Sequence, residues 1–262
     1  MVVHYNPLTK EPYLQLPAPC TNIIMTPHRN HQIEEVSAAM GEFLNDSRVY
    51  DWLQGPPYPF LPEHGADWVK QKLAEQAEVV STLQKEFETR EIQQGDGSNG
   101  PKELELFDRF PFLGIREVTE RDPATGVPLQ DVFIGELTLT RYAFHELQSD
   151  GSALALAQKH NDDLPAGHQD IVWSIGYYLS PAQHGRGVMS LAVRTALRDW
   201  AIPRMNLQLL KSSYFVGNQG SRRVLEKNNF AEIGTCKDWA PANPIKGRGP
   251  MSMIVVKWKG LG

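Results

Sequence analysis

The chain has 262 residues, 41% apolar and 22% charged, the balance of a soluble globule large enough to bury a sizeable core. No apolar run approaches the ~18 residues a membrane helix needs, the start MVVHYNPLTKEPYLQLP has no hydrophobic signal core, and a net charge of −5 leaves no overall nucleic-acid footprint. Cys20 and Cys236 are too few for a disulfide framework and read as reduced thiols, which points to a cytoplasmic chain.

Residues 1–20 are proline-rich and read as an irregular arm. Residues 22–26 read as a short strand. Asn30 is placed to cap a helix whose apolar stripe is Ile33, Val36, Met40, Phe43 and Leu44. An aromatic, proline-rich loop follows at 49–60. Residues 66–88 read as a long helix, with Val69, Leu73, Ala77, Val80, Leu83 and Phe87 along one side, and 93–101 as a flexible loop. Residues 112–118 and 132–140 read as a hairpin across a turn-rich loop. Residues 141–170 form a loop-rich insertion with a short helix at 153–159. His160, Asp162, Asp163, His168 and Asp170 within it match no ligand spacing, so no metal is predicted.

The stretch 171–206 carries the most information. Residues 171–179 suit a mostly buried strand. After a turn comes Gly185-Arg186-Gly187, and from Val188 the apolar residues recur at three- and four-residue steps, as on a helix that Pro203 ends. The first amides of a helix have no intrahelical partner and carry the positive end of its dipole. Two glycines let an anion approach the backbone, and Arg186 can add charge, so a phosphate or pyrophosphate site is the natural reading. Neither a P-loop nor a dinucleotide fingerprint fits, because Val188, Met189 and Ser190 stand where those motifs need other residues. A second strand reads at 207–215, and 231–236 and 251–258 supply two more. Residues 183–227 hold eight basic and two acidic residues, net +6 against −11 for the rest.

With the block Asn218, Ser221, Val224, Leu225, Glu226, Lys227 and Phe230 added to the glycine turn, the chain resembles the GNAT acetyltransferase superfamily, in its ribosomal-protein alanine acetyltransferase-like branch. The resemblance is clear over about 171–231. It implies one α/β (α+β) domain over residues 1–262. Its seven-stranded, mostly antiparallel sheet splays between two central parallel strands and is flanked by about four helices. Asn229 should take the left-handed backbone at the end of the last helix. The resemblance implies acetyl-CoA as cosubstrate, with Gly185, Arg186, Gly187 and Val188 as the pyrophosphate cradle. Asn218 would meet the pantetheine arm, with Ser221 and Arg223 near it, and the 49–60 loop would wall the acceptor pocket. The implied activity moves an acetyl group directly to a primary amine, in a small molecule or at a protein N-terminus. No nucleic acid or membrane is implied as a partner. A non-catalytic acetyl-CoA-binding module is the alternative, because three family positions differ. Ser174 replaces a glutamate, Leu225 replaces the tyrosine or serine proton donor, and Ala182 replaces a glutamine or arginine. Glu136 on the neighbouring strand is the substitute candidate for the base, and Tyr214 is the second catalytic candidate. Asp170 is weaker.

Overall fold

The computed structural model describes residues 3–96, 105–241 and 243–261. Among them one sheet has nine strands: β1 (His4–Tyr5), β2 (Pro12–Gln15), β3 (Ile23–Thr26), β4 (Gly114–Arg121), β5 (Pro128–Arg141), β6 (Val172–Leu179), β7 (Leu209–Phe215), β8 (Phe230–Ala240) and β9 (Met251–Trp258). Their order is β1-β2-β3-β4-β5-β6-β7-β9-β8. Neighbours are antiparallel except β6 and β7. The helices are α1 (Ile33–Leu44), α2 (Ser47–Tyr50), α3 (Pro62–Asp96), α4 (Gly151–Asp163), α5 (Val188–Ala196), α6 (Ile202–Met205) and α7 (Gln219–Lys227). None among the described residues is long and apolar enough to cross a membrane.

The expected strands, hairpin and parallel central pair are present, and several boundaries differ for physical reasons. The 1–20 segment is not irregular: it supplies β1 and β2, the two strands beyond the seven expected. Its prolines sit at a strand start or between strands, where no ladder amide is lost, and Leu14 and Leu16 are fully buried. Asn30 opens a 3-10 turn and makes no side-chain cap. The long helix begins earlier, with Pro62 at its first position, and runs on through Asp96. The expected loop is therefore helical up to residue 96, and its remaining residues, 97–101, lie outside the described residues. Pro203 does not stop the helix begun at Val188. A π-helical turn at Leu197–Ala201 passes the chain into α6, whose first turn accepts the proline, and Asn206 in the left-handed region ends it. The 141–170 segment holds a full helix, α4, capped by Asp150, rather than a short one.

The larger core lies where α5, its continuation and α7 meet β4 to β7, around Trp173, Ala192, Trp200 and Leu210. A second core, Val36, Met40, Leu44, Val49, Phe60, Val69 and Phe133, joins α1, α2 and the start of α3 to the sheet, with Tyr178 packed against it. Alternate side chains of β6 feed these two cores, since successive strand residues point to opposite faces.

Candidate active site

The parallel pair is short. Val172, Trp173 and Ser174 register with Leu209, Leu210 and Lys211, and the pairing then stops although both strands continue. One residue further, the buried Ser212 hydroxyl donates to the Ile175 carbonyl at 2.9 Å and pins the point of divergence. Beyond it β6 stays with β5 and β7 stays with β9, so a wedge opens in the middle of the sheet. A cleft of about 340 Å³ runs there between the Gly185 turn, α7, and the Val49, Trp52 and Leu53 side chains. The aromatic loop thus does wall the cleft.

The glycine turn has the conformation its sequence suggests. Gly185 and Gly187 have φ of +78° and +80°, and a Cβ on either would point into open space. Gly187 is the N-cap of α5 and has no side chain to cap it, so the first-turn amides face outward unserved. This cradle fits an anionic phosphate. Arg186 does not join it as a charge. Its guanidinium bonds Gln183 and lies 3.4 Å from Glu117, and the Arg186 side chain does not line the cleft; only its backbone remains at the turn. The cations lining the cleft are Arg223 and Lys227 from α7 and Arg48 from α2. Asn218 also lines it, as the N-cap of α7, accepting from the Ser221 amide at 3.0 Å. Ser221 lines it in turn, and its carbonyl accepts a long bond, 3.4 Å, from the Tyr177 hydroxyl. Asn229, with φ of +64°, takes the expected left-handed backbone.

Glu136 is buried, 2% exposed, which rules out an outward-facing strand position. Its direction follows from a β-bulge. Arg116 registers with Phe133 but Ile115 with Gly135, so β5 carries one extra residue there. Ile134 and Leu137 consequently both face the larger core, and Glu136 turns to the α1–α3 face. Only glycine fits the bulge: at φ of +155°, a Cβ on Gly135 would lie 2.4 Å from the Tyr178 carbonyl. The Glu136 carboxylate accepts from Trp68 Nε1 at 2.9 and 3.1 Å and contacts His28 Nε2 at 3.1 Å. It registers opposite Tyr178, which lines the cleft. Burial, and then the Glu136 carboxylate, hold the Tyr178 phenol well above its ordinary range. The Tyr178 oxygen is buried and in hydrogen-bond geometry with no described group.

Tyr214 does not reach the cleft. It faces the α5–α7 side, its hydroxyl donates to Glu232 at 2.7 Å, and burial followed by Glu232 raises its phenol. Leu225 is core, 1% exposed, and Asp170 lies near His168 at 3.9 Å, outside the cleft lining. Among the described residues no three metal-ligating side chains are gathered. Sequence reading missed Arg48, Tyr177 and Tyr178. The two tyrosines had a usable signal: consecutive residues of a splayed strand must face opposite sides of the sheet. Arg48 had none, because α2 is far from the motif in sequence.

Residues 131–231 match the family model described as an acetyltransferase (GNAT) domain. The solved structure of Mycobacterium smegmatis RimJ in complex with CoA-disulfide superposes with a TM-score of 0.55 at 15% identity, over 94% of this chain and 85% of that one. The chain has the GNAT acetyltransferase fold. RimL, a ribosomal L7/L12 alpha-N-protein acetyltransferase, gives a TM-score of 0.54 at 12% identity, over 98% of both chains. At such identities the likeness is one of fold alone. In sequence, the probable N-acetyltransferase YjcK of Bacillus subtilis (strain 168) is 38% identical over 71 residues, 27% of this chain. The match spans 39% of that relative's length. The GNAT match covers β6, the glycine turn and α7, the elements that build the cleft.

Proposed function

We propose that the protein is an N-acetyltransferase that uses acetyl-CoA and acts on a primary amine. The observation that carries this is the cleft that joins the left-handed Gly185–Gly187 turn and α7 to Tyr177 and Tyr178, just past the point where β6 leaves β7, with the buried Glu136 carboxylate in register with Tyr178. The Gly185 to Val188 backbone would hold the pyrophosphate, Arg48, Arg223 and Lys227 the remaining phosphate charge, and Asn218 the pantetheine arm. The bound cosubstrate supplies an activated acetyl thioester. Amines titrate near ~10.4, so the acceptor must lose a proton to attack. Glu136 lies behind Tyr178 on the α1–α3 face and would take that proton directly or through water. A backbone amide of β6 in the wedge, released from any parallel neighbour, would receive the oxyanion.

The acceptor is a small amine or a protein N-terminus. The resemblance of the glycine turn and the Asn218–Phe230 block to the ribosomal-protein branch favours the second, and the Trp52 and Leu53 wall favours a small apolar amine. The non-catalytic alternative rests on Ser174 and Leu225 and is weakened by the buried Glu136 carboxylate in register with the cleft-lining Tyr178. The deciding assay is CoA release from acetyl-CoA with arylalkylamines, polyamines, amino sugars, amino acids and short peptides. Gly187→Trp, which fills the cradle, is the control. Release with one amine class, lost in the control, is expected. CoA binding without release on any amine or peptide would favour the non-catalytic module, and no CoA binding would remove both readings.

A further inference from the structure

The family's proton-donor position is a core leucine here, and the wedge holds a different hydroxyl on the same side. Tyr177 and Tyr178 are consecutive on β6 just beyond the divergence from β7. Tyr178 packs on the α1–α3 face with Glu136, whereas Tyr177 packs on the α5–α7 face and reaches across to Ser221. Both line the cleft. In the proposed reaction the amine arrives on the first face and the sulfur leaves on the second, so adjacent residues place one hydroxyl at each end of the reacting bond.

Resting on that reading, we propose that Tyr177 is the catalytic residue on the thiol side, donating a hydrogen bond to the leaving CoA sulfur in place of the family's missing donor. The step balances. The C–N bond forms and the C–S bond breaks, with the C–S electron pair going to sulfur. The amine's proton leaves on the Glu136 face. The thiolate, held by the Tyr177 O–H, takes a proton from water on release. The present partner of Tyr177 is compatible with this role: the 3.4 Å bond to Ser221 is long and easily exchanged for a charged acceptor. Burial keeps the phenol above its ordinary range, so it stays neutral and retains its proton as a donor.

The test titrates the thiol of CoA bound to the protein, followed by thiolate ultraviolet absorption, together with steady-state kinetics. In Tyr177→Phe the bound thiol's pKa should rise by about one unit relative to wild type, since a hydrogen bond to the charged form lowers it. kcat should fall about 100-fold, the lower end for removing one preorganised hydrogen-bond donor to a developing negative charge, with the acetyl-CoA KM within about twofold. A ring-fluorinated tyrosine at 177 keeps the shape and strengthens the donor, so it should lower the bound thiol's pKa. That second replacement tests the idea even if Tyr177→Phe folds poorly. CoA bound normally, with an unchanged titration in these variants, overturns the role of Tyr177 and leaves the proposed function standing. Wild type that binds no CoA overturns both.

Discussion

Glu136 shows how one backbone irregularity assigns a residue its chemistry. On a regular β5 it would share a face with Ile134 and point into the α5–α7 core, where an unpaired carboxylate is costly. The bulge at Gly135 turns it instead to Trp68 and His28, which satisfy it, and sets it opposite Tyr178. Glu136→Gln should keep the fold, because the amide oxygen still accepts from Trp68. Its kcat should fall about 100-fold or more at neutral pH, the scale of general-base catalysis. The loss of rate toward acid that a carboxylate base imposes should vanish with it. A kcat/KM profile in Glu136→Gln with the wild-type shape would sink the assignment. The residue could be named from sequence, since it lies on the strand beside the motif, but its direction could not. Period-two alternation is the only rule sequence offers there, and the extra residue breaks it.

At the scale of elements, what repeats or punctuates was legible and what depends on distant partners was not. The period change at Val188 and the left-handed Asn229 both follow from local chemistry. β1 and β2 depend on pairing back onto β3, and α3 gains turns that no local stripe demands, so both escaped. The 141–170 segment is the clearest case. It is braced within by Tyr142, which donates to Glu146 at 2.7 Å, and fastened to strands remote in sequence: Lys211 pairs with Glu146 at 2.5 Å, and His145 packs edge-on to Trp239 at 5.0 Å. Those contacts set its pH response. Burial lowers the His145 pKa below 6.5. The unfolded segment therefore binds a proton before the folded one, and this contribution, intact above 6.5, is lost as pH falls through the folded value. Burial works against ionisation of Glu146, but the Lys211 and Tyr142 bonds prevail and lower its pKa from 4.5, so its contribution is lost at still lower pH. Trp239 emission should therefore change in two stages as acid is added, the first beginning near pH 6.5. In His145→Phe only the lower stage should remain; an unaltered upper stage would show that another group controls the segment.

Across the whole molecule the uneven charge is mostly internal bookkeeping. Of the eight basic residues in the net +6 segment, Arg186, Arg198, Arg204, Lys211 and Arg222 face carboxylates. Arg194 bonds the Lys227 carbonyl. Arg223 and Lys227 pair with no carboxylate among the described residues and line the cleft, where Arg48, itself paired with Asp46 at 2.6 Å, faces them from the other wall. The field a polyphosphate meets is therefore set by a few exposed cations rather than by the segment's net charge. Exposed pairs contribute up to ~1 kcal/mol each, so Arg223→Ala and Lys227→Ala should each raise the Kd for CoA about fivefold. Arg222→Ala, on the same helix but tied to Glu226, should leave it within about twofold. Screening decides between this and a packing effect. The Debye length shrinks from about 10 Å at 0.1 M salt to about 3 Å at 1 M, so calorimetric titrations of CoA should show the Arg223 and Lys227 penalties fading at high salt. A penalty that persists at 1 M salt would mean these side chains hold CoA by direct, desolvated contact. A penalty that Arg222→Ala shares would return the explanation to the segment's net charge.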